Sequence, residues 1–532
     1  MGTYINLGNE GFKTSRQDEY VDKSGLISEI NKTLNTRKKY SCVTRCRRFG
    51  KSMAAEMLCA YYDRSCDSRE LFADLQIAND PSFEEHLNKY PVIYLDMTYF
   101  TTQTGDKNRM VEIMTEKVEK DLLDTYPEVR PRLNDNDELI DVLLAIASTT
   151  GQKFIMIIDE WDAICREFIG DEIAMRKYVD WLRQLFKGNK SERVFAGVYM
   201  TGILPIKKDN TQSALNNFRE YSMVTPGRLA SFFGFTKDEV RVLCDKHGMD
   251  FDEMVKWYDG YRIGNEPSML NPNSVMQAIW NEDCTSYWSK TGAFDTIADY
   301  INMNYEGLKD DIIYMLAGGR CDVDTTGFEN DLAEIKSKDD VLTVLIHLGY
   351  LSYDKTEGEC YIPNREVAGE MVNAVKRNKW KVVSDAIDNS KKLLQATLNL
   401  DSDLVAQALD KVHEDNTSIL AYNDENSLSC VVNLAYYYAK NDYIFFRELP
   451  SGKGFADIVM LPRKNVNKPA LVVELKYDKD ADTAIRQIHE RRYTGQLAEY
   501  TDDILLVAIN YDKQTKTHDC QIERWVNHPN LL

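Results

Sequence analysis

The sequence predicts an α/β fold with three regions: an N-terminal doubly wound parallel sheet, a mainly helical middle and a small C-terminal α/β domain. Apolar runs of strand length alternate with amphipathic helices up to about residue 204, and a second series of such runs starts at about residue 425. The pattern between the two series is largely helical. At roughly 150 residues per domain, a chain of 532 residues is also too long for one compact core.

The N-terminal region, predicted as residues 1–234, alternates strands with helices such as residues 52–63 and 108–126. Parallel strands need long crossover connections, and helices of this length supply them. The alternation therefore predicts a mainly parallel sheet with helices on both faces. The strand candidates are residues 40–44, 91–97, 153–160 and 193–203.

The middle region, predicted as residues 235–420, combines helical patterns with one hairpin, in which residues 350–354 and 359–363 flank a polar turn. The C-terminal region, predicted as residues 421–532, begins with a helix and continues with four strands, with a helix at 483–493 before the last of them. These strand candidates are residues 443–449, 455–461, 470–476 and 504–510.

Two motifs of the middle region receive structural interpretations. The segment from Tyr258 to Tyr261 is typical of a turn packed by aromatic rings. Residues 271–272 begin a helix that Asn273 or Ser274 would cap. We expect no catalytic role for either motif.

Charge is unevenly distributed along the chain. Lys and Arg number 65 against 85 Asp and Glu, so the formal net charge is -20 and the isoelectric point is near 5.0. A surface this acidic argues against coating nucleic acid or an anionic membrane. From Lys440 onward, however, 14 basic residues balance 14 acidic ones. Arg486, Arg491 and Arg492 lie on one helix there and suit phosphate contacts, although a solvated helix face explains them equally well.

The cysteine pattern and the hydropathy of the sequence indicate the cellular compartment. The 11 cysteines are scattered and form no Cys-x-x-Cys pair, which favours reduced thiols over a zinc site. No apolar stretch approaches the roughly 18 residues that span a bilayer, and the N-terminus lacks the apolar run of a signal peptide. The sequence therefore predicts a cytoplasmic protein without a membrane partner.

A phosphate-binding loop is predicted between a buried strand and a helix. Gly50, Lys51 and Ser52 stand where the backbone N–H groups of a helix N-terminus cradle phosphate. Lys51 would reach the β- and γ-phosphates of ATP, and the Ser52 hydroxyl would bind Mg²⁺. The motif departs from the usual pattern in one residue, because Arg45 stands where the first glycine is expected.

The other half of this site is predicted at the ends of two later strands. An apolar run ends in Asp159, which would hold the metal, and Glu160, which would polarise the attacking water. Thr201 ends the next strand candidate, where a polar residue can sense the γ-phosphate. The structural alternative is a helix start together with a buried strand capped by surface acids.

Three arginines are candidates for neutralising phosphate charge. Arg47 and Arg48 precede the loop glycine, and Arg228 lies further along the chain. Surface arginines paired with the many acids of this region would explain each of them equally well.

The C-terminal region carries two carboxylates and a lysine that suit metal-dependent cleavage of a phosphodiester. Glu474 and Lys476 are two residues apart on one strand, so their side chains share a face, and an adjacent strand can set Asp457 beside them. The carboxylates would bind Mg²⁺ or Mn²⁺, and Lys476 would orient or deprotonate water. Glu-x-Lys pairs are common on exposed strands, but this pair lies in an apolar strand, where an unpaired charge is costly.

These segments resemble known families over nearly the whole chain. The runs RCRRFGKS, IIDEWD and TGILPIKKDNTQSALNNF look like the bacterial AAA-ATPase-like family, and WYDGYRIGNEPSMLNPNSVMQAIWN extends the match. The runs GFADIVM, VVELK and AIRQIHERRY are similar to the PD-(D/E)XK nuclease superfamily, which has a restriction-endonuclease-like fold. The resemblance implies nucleotide chemistry at Lys51, Ser52, Asp159 and Glu160, and metal-dependent cleavage at Asp457, Glu474 and Lys476.

The chain departs from these family patterns in two places. Cys46 replaces the usual proline of the loop, which leaves the Gly-Lys-Ser anchor in place. No basic residue lies between Gly454 and Asp457, where the family commonly has one, and this weakens DNA contact without removing the metal ligands.

The function expected from these observations is ATP binding and hydrolysis coupled to a nuclease-fold domain that cleaves nucleic acid, DNA rather than RNA, in defence against foreign DNA. The alternative is an ATP-dependent regulatory switch or scaffold whose inactive nuclease fold serves for binding. A third reading is an ATPase that acts on proteins. A homo-oligomer is compatible with each of them, and the sequence leaves the oligomeric state open.

Overall fold

The structure is a computed structural model of the 532-residue chain. It describes all residues except 1, 104–105, 135, 207, 210–211, 214, 289–299, 302, 304, 331, 333, 378–380, 416–424, 452–453, 464–465, 482, 487–502 and 526–532. The described chain divides into two compact units, which are treated separately below. One comprises Met1–Thr291 and Asp322–Ala368, and the other comprises Gly292–Cys321 and Gly369–Leu532. The domain boundaries expected at 234 and 420 stay a prediction.

The first unit is built on a five-stranded sheet in which every pairing is parallel, as the alternating pattern predicts. The strand order is β2-β3-β4-β1-β7, so β4 separates β1 from β3. A two-residue pair, β5 and β6, lies between β4 and β7 in the chain. The bounds are β1 (Tyr40–Thr44), β2 (Val92–Asp96), β3 (Phe154–Asp159), β4 (Phe195–Gly202), β5 (Lys208–Asp209), β6 (Gln212–Ser213) and β7 (Arg219–Tyr221).

Helices connect these strands, and those at Lys51–Tyr62 and Met110–Thr125 match the stretches predicted at 52–63 and 108–126. The expected strand at 193–203 begins two residues late, because its first residues complete a short helix. The bounds are α1 (Glu10–Ser15), α2 (Gly25–Asn31), α3 (Lys51–Tyr62), α4 (Arg69–Phe72), α5 (Phe83–His86), α6 (Met97–Gln103), α7 (Met110–Thr125), α8 (Leu139–Thr150), α9 (Ala163–Glu167), α10 (Glu172–Phe186) and α11 (Asn189–Val194). Single 3₁₀ turns lie at Gln76–Asn79, Lys107–Arg109, Pro127–Arg132 and Gly227–Phe232.

Both faces of the parallel sheet are buried, which confirms the doubly wound architecture. Alternate residues of β3 belong to different cores: Met156 and Ile158 pack with α7, α8 and α10, whereas Ile155 and Ile157 pack with α2 and α3. Successive side chains of a strand point to opposite faces, so the two cores lie on the two sides of the sheet. A sheet covered on both faces explains why its strands read as continuous apolar runs.

The rest of the chain up to residue 377 adds helices and small antiparallel sheets, and of this stretch residues 292–321 and 369–377 belong to the second unit. The hairpin predicted around residue 356 is confirmed as β12 and β13, and a three-stranded sheet has the order β8-β10-β9. The strands are β8 (Phe235–Thr236), β9 (Tyr261–Ile263), β10 (Glu266–Leu270), β11 (Cys321–Asp322), β12 (Ser352–Asp354) and β13 (Glu359–Tyr361). The helices are α12 (Lys237–His247), α13 (Phe251–Tyr258), α14 (Pro272–Asn281), α15 (Leu308–Leu316), α16 (Lys338–Leu348) and α17 (Arg365–Arg377).

The cap of α14 differs from the expectation of Asn273 or Ser274. Asn271 is the N-cap residue, and its side-chain oxygen accepts a hydrogen bond of 3.2 Å from the backbone N–H of Ser274. Pro272 occupies the first helical position, where its missing N–H costs nothing, so the cap must be the residue before it.

The second unit contains a five-stranded mixed sheet in the order β14-β15-β16-β17-β18. Only β16 and β17 pair in parallel; the other neighbours are antiparallel. The strands are β14 (Tyr443–Ser451), β15 (Gly454–Pro462), β16 (Ala470–Tyr477), β17 (Ile504–Asp512) and β18 (Thr517–Arg524). The helices of this part are α18 (Lys381–Leu398), α19 (Ser402–Asp415) and α20 (Glu425–Ala435), with a 3₁₀ turn at Tyr437–Asn441.

The central strands of this sheet are buried. Val472 of β16 packs with Leu506 of β17 and with Ala484, in a small core on one face. Across the described ranges, no helix combines the length and apolar character that crossing a bilayer requires.

The turn between Tyr258 and Tyr261 gives a stability prediction. Gly260 has a φ of +103°, and a β carbon there would lie 1.9 Å from the carbonyl oxygen of Pro363. We expect Gly260→Ala to lower the free energy of unfolding by more than about 2 kcal/mol, because it adds a backbone clash to an unfavourable φ. Gly248→Ala is the matched control, since Gly248 also has a positive φ but no atom within 4 Å of its would-be β carbon. Calorimetric unfolding of both variants should show the larger shift for Gly260→Ala, and equal shifts would contradict the packing argument.

Candidate functional site

Three strands of the parallel sheet end at one edge and bring the predicted nucleotide residues together. Val43 pairs with Thr201, and Ile158 pairs with Met200, so the ends of β1, β4 and β3 are level. The loop after β1 leads into α3, whose first residue is Lys51. Residues that are distant in sequence therefore meet at the carboxyl edge of the sheet, where ligands of such sheets bind.

The loop itself has the geometry of a helix N-terminus open to an anion. Gly50 precedes α3 with a φ of +85°, in the left-handed region that suits glycine. Lys51 is only 4% exposed, and its ammonium donates to the carbonyl of Cys46 at 3.2 Å and lies 3.3 Å from a carboxylate oxygen of Glu160. Ser52 follows on the exposed side of the first turn. The free N–H groups of this turn and the Lys51 charge together make an anion-binding position.

Asp159 lies beside the loop in a hydrogen-bonded setting. Its carboxylate accepts 2.6 Å from the Thr201 hydroxyl and 3.3 Å from the Tyr94 hydroxyl, and the Ser52 hydroxyl is a further partner. Burial raises the pKa of Asp159, and the hydrogen bonds of Thr201 and Ser52 act against that rise. The structure thus joins Ser52, Asp159 and Thr201, three residues that the sequence assigned to one site.

Glu160 is held by two positive charges. Its backbone adopts a positive φ of 52°, and its carboxylate contacts both Lys51 and the guanidinium of Arg166. Burial alone would raise the pKa of Glu160, but the charges of Lys51 and Arg166 outweigh it and hold the pKa below its usual value. The group therefore stays ionised at neutral pH.

Asp162 and Arg166 were missed by reasoning from the sequence. Asp162 is fully buried and accepts hydrogen bonds from the backbone N–H groups of Ile203 and Leu204 at 3.1 and 2.9 Å. Its second contact is with Nε of Arg166 at 3.0 Å. The only signal in the sequence was the spacing of four residues between Asp162 and Arg166 on one helical turn. The pair braces the segment that follows β4.

Arg45, which replaces the expected glycine, is a structural residue within the fold. It is fully buried, and its guanidinium donates to the carbonyls of Thr44, Tyr221 and Leu229 at 2.8, 2.7 and 3.3 Å. Burial lowers the pKa of Arg45 to about 10, which leaves it charged at neutral pH. This side chain ties the end of β1 to the end of β7 instead of lining the loop.

Arg48 and Arg228, two further candidates for neutralising phosphate charge, have partners of their own. Arg48 has a positive φ of 68°, and its guanidinium donates to the Tyr287 carbonyl at 2.8 Å. Arg228 pairs with Glu29 at 3.1 Å, which matches the alternative that it is a surface arginine paired with an acid.

In the second unit, Asp457 and the Glu-x-Lys pair lie on neighbouring strands. Ile458 of β15 pairs with Val473 of β16, so Asp457 falls opposite Glu474 in the antiparallel register. The backbone N–H of Leu475 donates to the Asp457 carboxylate at 2.7 Å. The two predicted acids are therefore brought to one place at the end of the pairing between these strands.

Glu474 and Lys476 are both buried and form an ion pair. Glu474 is 1% exposed and Lys476 is 5% exposed, and their charged atoms are 2.9 Å apart. The Lys476 ammonium also donates to the Leu475 carbonyl at 3.0 Å. An isolated carboxylate would be costly inside this sheet, and the lysine two residues along the strand supplies its counter-charge.

The remaining candidates of this domain are only partly described. Arg486 is exposed, and its guanidinium contacts the Thr483 hydroxyl at 3.2 Å. Arg491 and Arg492, for which phosphate contacts and a solvated helix face were equally good explanations, lie outside the described residues. Within the part of the chain that is described, no group of three or more His, Cys, Asp or Glu side chains is arranged to hold a metal ion.

The Asp162 brace gives a second stability prediction. Asp162→Ala would leave two buried N–H groups without an acceptor and would remove one partner of Arg166, so we expect a loss of about 3 kcal/mol in unfolding free energy. Asp171→Ala is the matched control, because Asp171 only caps α10 by accepting from Ala174, and it should cost about 1 kcal/mol. Thermal unfolding of the two variants distinguishes them, and a smaller loss for Asp162→Ala would contradict the bracing role.

Solved structures with a related arrangement have low similarity to this chain. The ORC2 protein of Aeropyrum pernix, in ADPNP and ADP complexes, has 9% identity and a TM-score of 0.32, with 68% of this chain and 96% of that chain covered. AMPPCP-bound DnaA from Aquifex aeolicus has 10% identity and a TM-score of 0.24, with 75% and 97% covered. The Aeropyrum pernix ORC1 protein in complex with DNA has 11% identity and a TM-score of 0.24, with 72% and 99% covered.

Sequence families give a firmer comparison. No curated protein sequence matches the chain. Residues 6–212 match the family described as a predicted AAA-ATPase, and this range contains the loop, Asp159, Glu160 and Thr201. Residues 423–521 match the PD-(D/E)XK nuclease superfamily, and this range contains Asp457, Glu474 and Lys476. The chain is therefore similar to a predicted AAA-ATPase over residues 6–212 and to the PD-(D/E)XK nuclease superfamily over residues 423–521.

Proposed function

We propose that the protein binds and hydrolyses ATP in its first unit and that its second unit cleaves nucleic acid with the help of a divalent metal. The observation that supports the ATPase assignment best is the meeting of Lys51, Ser52, Asp159, Glu160 and Thr201 at the ends of three parallel strands. Chain segments as far apart as residues 51 and 201 supply one anion-binding position and one set of oxygen ligands.

In this proposal the chain's own groups divide the work on ATP. The N–H groups after Gly50 and the Lys51 ammonium bind the phosphates, and Arg48 adds positive charge nearby. Ser52 and Asp159 offer oxygen ligands of the kind that Mg²⁺ prefers, and bound Mg²⁺ would neutralise the charge that develops on the phosphates. Thr201 shares a hydrogen bond with Asp159, so it can register the presence of the γ-phosphate.

Glu160 is the candidate base that positions and deprotonates the attacking water. Its low pKa keeps it ionised, and its contact with Lys51 ties its position to the site that phosphate would occupy. A phosphate that takes the Lys51 charge leaves the Glu160 carboxylate paired with Arg166 through its other oxygen. The oxygen that faced Lys51 can then accept a hydrogen bond from the attacking water when nucleotide is bound.

In the second unit, Asp457 and Glu474 are the proposed metal ligands and Lys476 the residue that orients water. Two carboxylates would supply only part of the coordination shell of a metal ion. This suits Mg²⁺ or Mn²⁺, because these ions keep coordination positions open for water and for substrate phosphate. We propose DNA as the substrate and defence against foreign DNA as the role, on the logic of a nuclease under ATP control.

A second candidate function is an ATP-dependent switch or scaffold whose nuclease fold only binds. The observation that favours it is the close ion pair of Glu474 and Lys476, which gives both groups a partner without metal or substrate. It differs from the first proposal in expecting nucleotide-dependent binding without cleavage.

The ATPase proposal predicts two different losses. Lys51→Ala should abolish ATP binding, because it removes the buried charge of the phosphate site. Glu160→Gln should retain binding but lower turnover by at least about 100-fold, since it removes the base. Phosphate release and binding of a fluorescent ATP analogue measure the two effects. Lys32→Ala, on an exposed lysine paired with Glu29, is the matched control and should behave as wild type.

The outcome that contradicts this assignment is specific. If folded Lys51→Ala binds ATP as tightly as wild type, the loop is not the nucleotide site. If Glu160→Gln hydrolyses ATP at the wild-type rate, another group supplies the base.

The nuclease proposal predicts metal-dependent cleavage that requires both acids. Asp457→Asn and Glu474→Gln should each abolish cleavage of plasmid and linear DNA in Mg²⁺ or Mn²⁺ with ATP, and Lys476→Met should lower it about 100-fold. Glu523→Gln, a carboxylate on the outer strand β18, is the matched control and should leave cleavage intact. Electrophoresis of DNA and RNA substrates measures the result.

Absence of cleavage by wild type on plasmid, linear DNA and RNA would reject the nuclease proposal. Retained ATP-dependent binding of DNA by Asp457→Asn would then support the scaffold.

A further inference from the structure

The outer side of the phosphate-binding loop is covered by residues far along the chain in the first unit. We call Gly234, Tyr261, Tyr287 and Gly349 the loop collar. The N–H of Gly234 donates to the carbonyl of Phe49 at 3.3 Å, and the Phe49 ring meets the Tyr261 ring edge-on with centroids 5.1 Å apart. The Tyr261 hydroxyl in turn donates to the Gly349 carbonyl at 2.9 Å. The motif around Tyr258 and Tyr261 therefore supports the loop directly.

Arg48 joins the loop to the collar by a polar contact. Its positive φ of 68° turns the chain, and its guanidinium donates to the carbonyl of Tyr287 at 2.8 Å. Positive φ is unfavourable for a residue with a β carbon, so an arginine needs support from its surroundings to keep it. Tyr287 supplies that support.

Glu366 holds Tyr287 from the other side. It is 1% exposed on the first turn of α17, and its carboxylate accepts from the N–H groups of Tyr287 and Trp288 at 2.6 and 3.0 Å and from the Ser274 hydroxyl at 2.8 Å. The charge of Arg48 also acts on it. Burying a carboxylate is energetically unfavourable unless hydrogen bonds of this kind satisfy it. Here the hydrogen bond to Tyr287 also connects Glu366 with Arg48 of the loop.

We propose that Glu366 is a positioning residue for the phosphate-binding loop, acting through the main chain of Tyr287 and the side chain of Arg48 to hold the loop in its nucleotide-binding form. The inference rests on the proposed ATPase function. Glu366 lies more than 300 positions from the loop in the sequence. In this proposal it acts on nucleotide binding without contacting phosphate or metal.

Coupling of this kind works in both directions. If the Glu366 contacts favour the loop form that binds nucleotide, nucleotide binding must favour the Glu366 contacts by the same factor. The start of α17 would then respond to the nucleotide state of the loop.

The test compares Glu366→Ala and Glu366→Gln with Ser274→Ala as the matched control. Ser274→Ala removes a contact of Glu366 but leaves the Tyr287 and Trp288 bonds, so it perturbs the same buried site without breaking the path to the loop. Burial raises the pKa of Glu366 to about 7, so measurements at pH 8 keep wild type ionised. Two readouts are needed: hydrogen exchange of the loop amides, residues 44–52, without nucleotide, and the Kd for ATP.

We expect Glu366→Ala to speed loop exchange and to raise the Kd for ATP, each about tenfold, because it removes an acceptor of two buried N–H groups. Glu366→Gln should have a smaller effect of the same sign, because its amide oxygen can still accept from both N–H groups, as one carboxylate oxygen does in wild type, but without the negative charge. Ser274→Ala should match wild type in both readouts. In Arg48→Met, adding Glu366→Ala should raise the Kd by less than about twofold, because the two residues act in series.

Unchanged exchange and unchanged Kd in folded Glu366→Ala would overturn the inference, as would full additivity with Arg48→Met. If Glu366→Ala does not fold, Glu366→Gln decides by the same two measurements. If wild type binds no ATP, the proposed function fails, and loop exchange still decides the positioning role.

Discussion

The parallel pairing of β1, β4 and β3 is the constraint on which the first unit depends. Because β4 lies between the other two strands, its end places Thr201 next to Asp159 and brings the segment after it against Asp162. A strand that slipped by one residue would turn each of these side chains to the other face. The two apolar cores on the faces of the sheet fix the register, and the register places the polar groups at its edge.

Charges buried near this edge are stabilised by one another and by the backbone. Lys51, Glu160, Arg166 and Asp162 form a continuous chain of opposite charges. The two terminal nitrogens of the Arg45 guanidinium instead donate to carbonyl oxygens of three separate segments. Carbonyl groups at the ends of strands have no ladder partner, and a buried guanidinium with several N–H donors can serve them together. A glycine at this position could not do so, and the different residue in the loop therefore has a clear structural reason.

In the second unit, too, strand register brings buried opposite charges together. Pairing of β15 with β16 sets Asp457 opposite Glu474, and the period of two along β16 sets Lys476 on the face of Glu474. The strand is otherwise apolar, with Val472 and Val473 fully buried. Acid and base are thus held in a dry setting, where each interaction is stronger than in water.

The sequence by itself determined the local features. Apolar runs located the central strands of both sheets within one or two residues, because strand period is a local property. The residues around Gly50, Asp159 and Glu474 indicated the two proposed sites, because loop chemistry is local as well. Tertiary structure decided what depends on distant segments: the capping of α14 by Asn271, the bracing by Asp162 and Arg166, the burial of Arg45, and the path from Glu366 to the loop. The physical reason is that a buried polar group is assigned by its partners, and those partners come from elements that only the packed fold brings together.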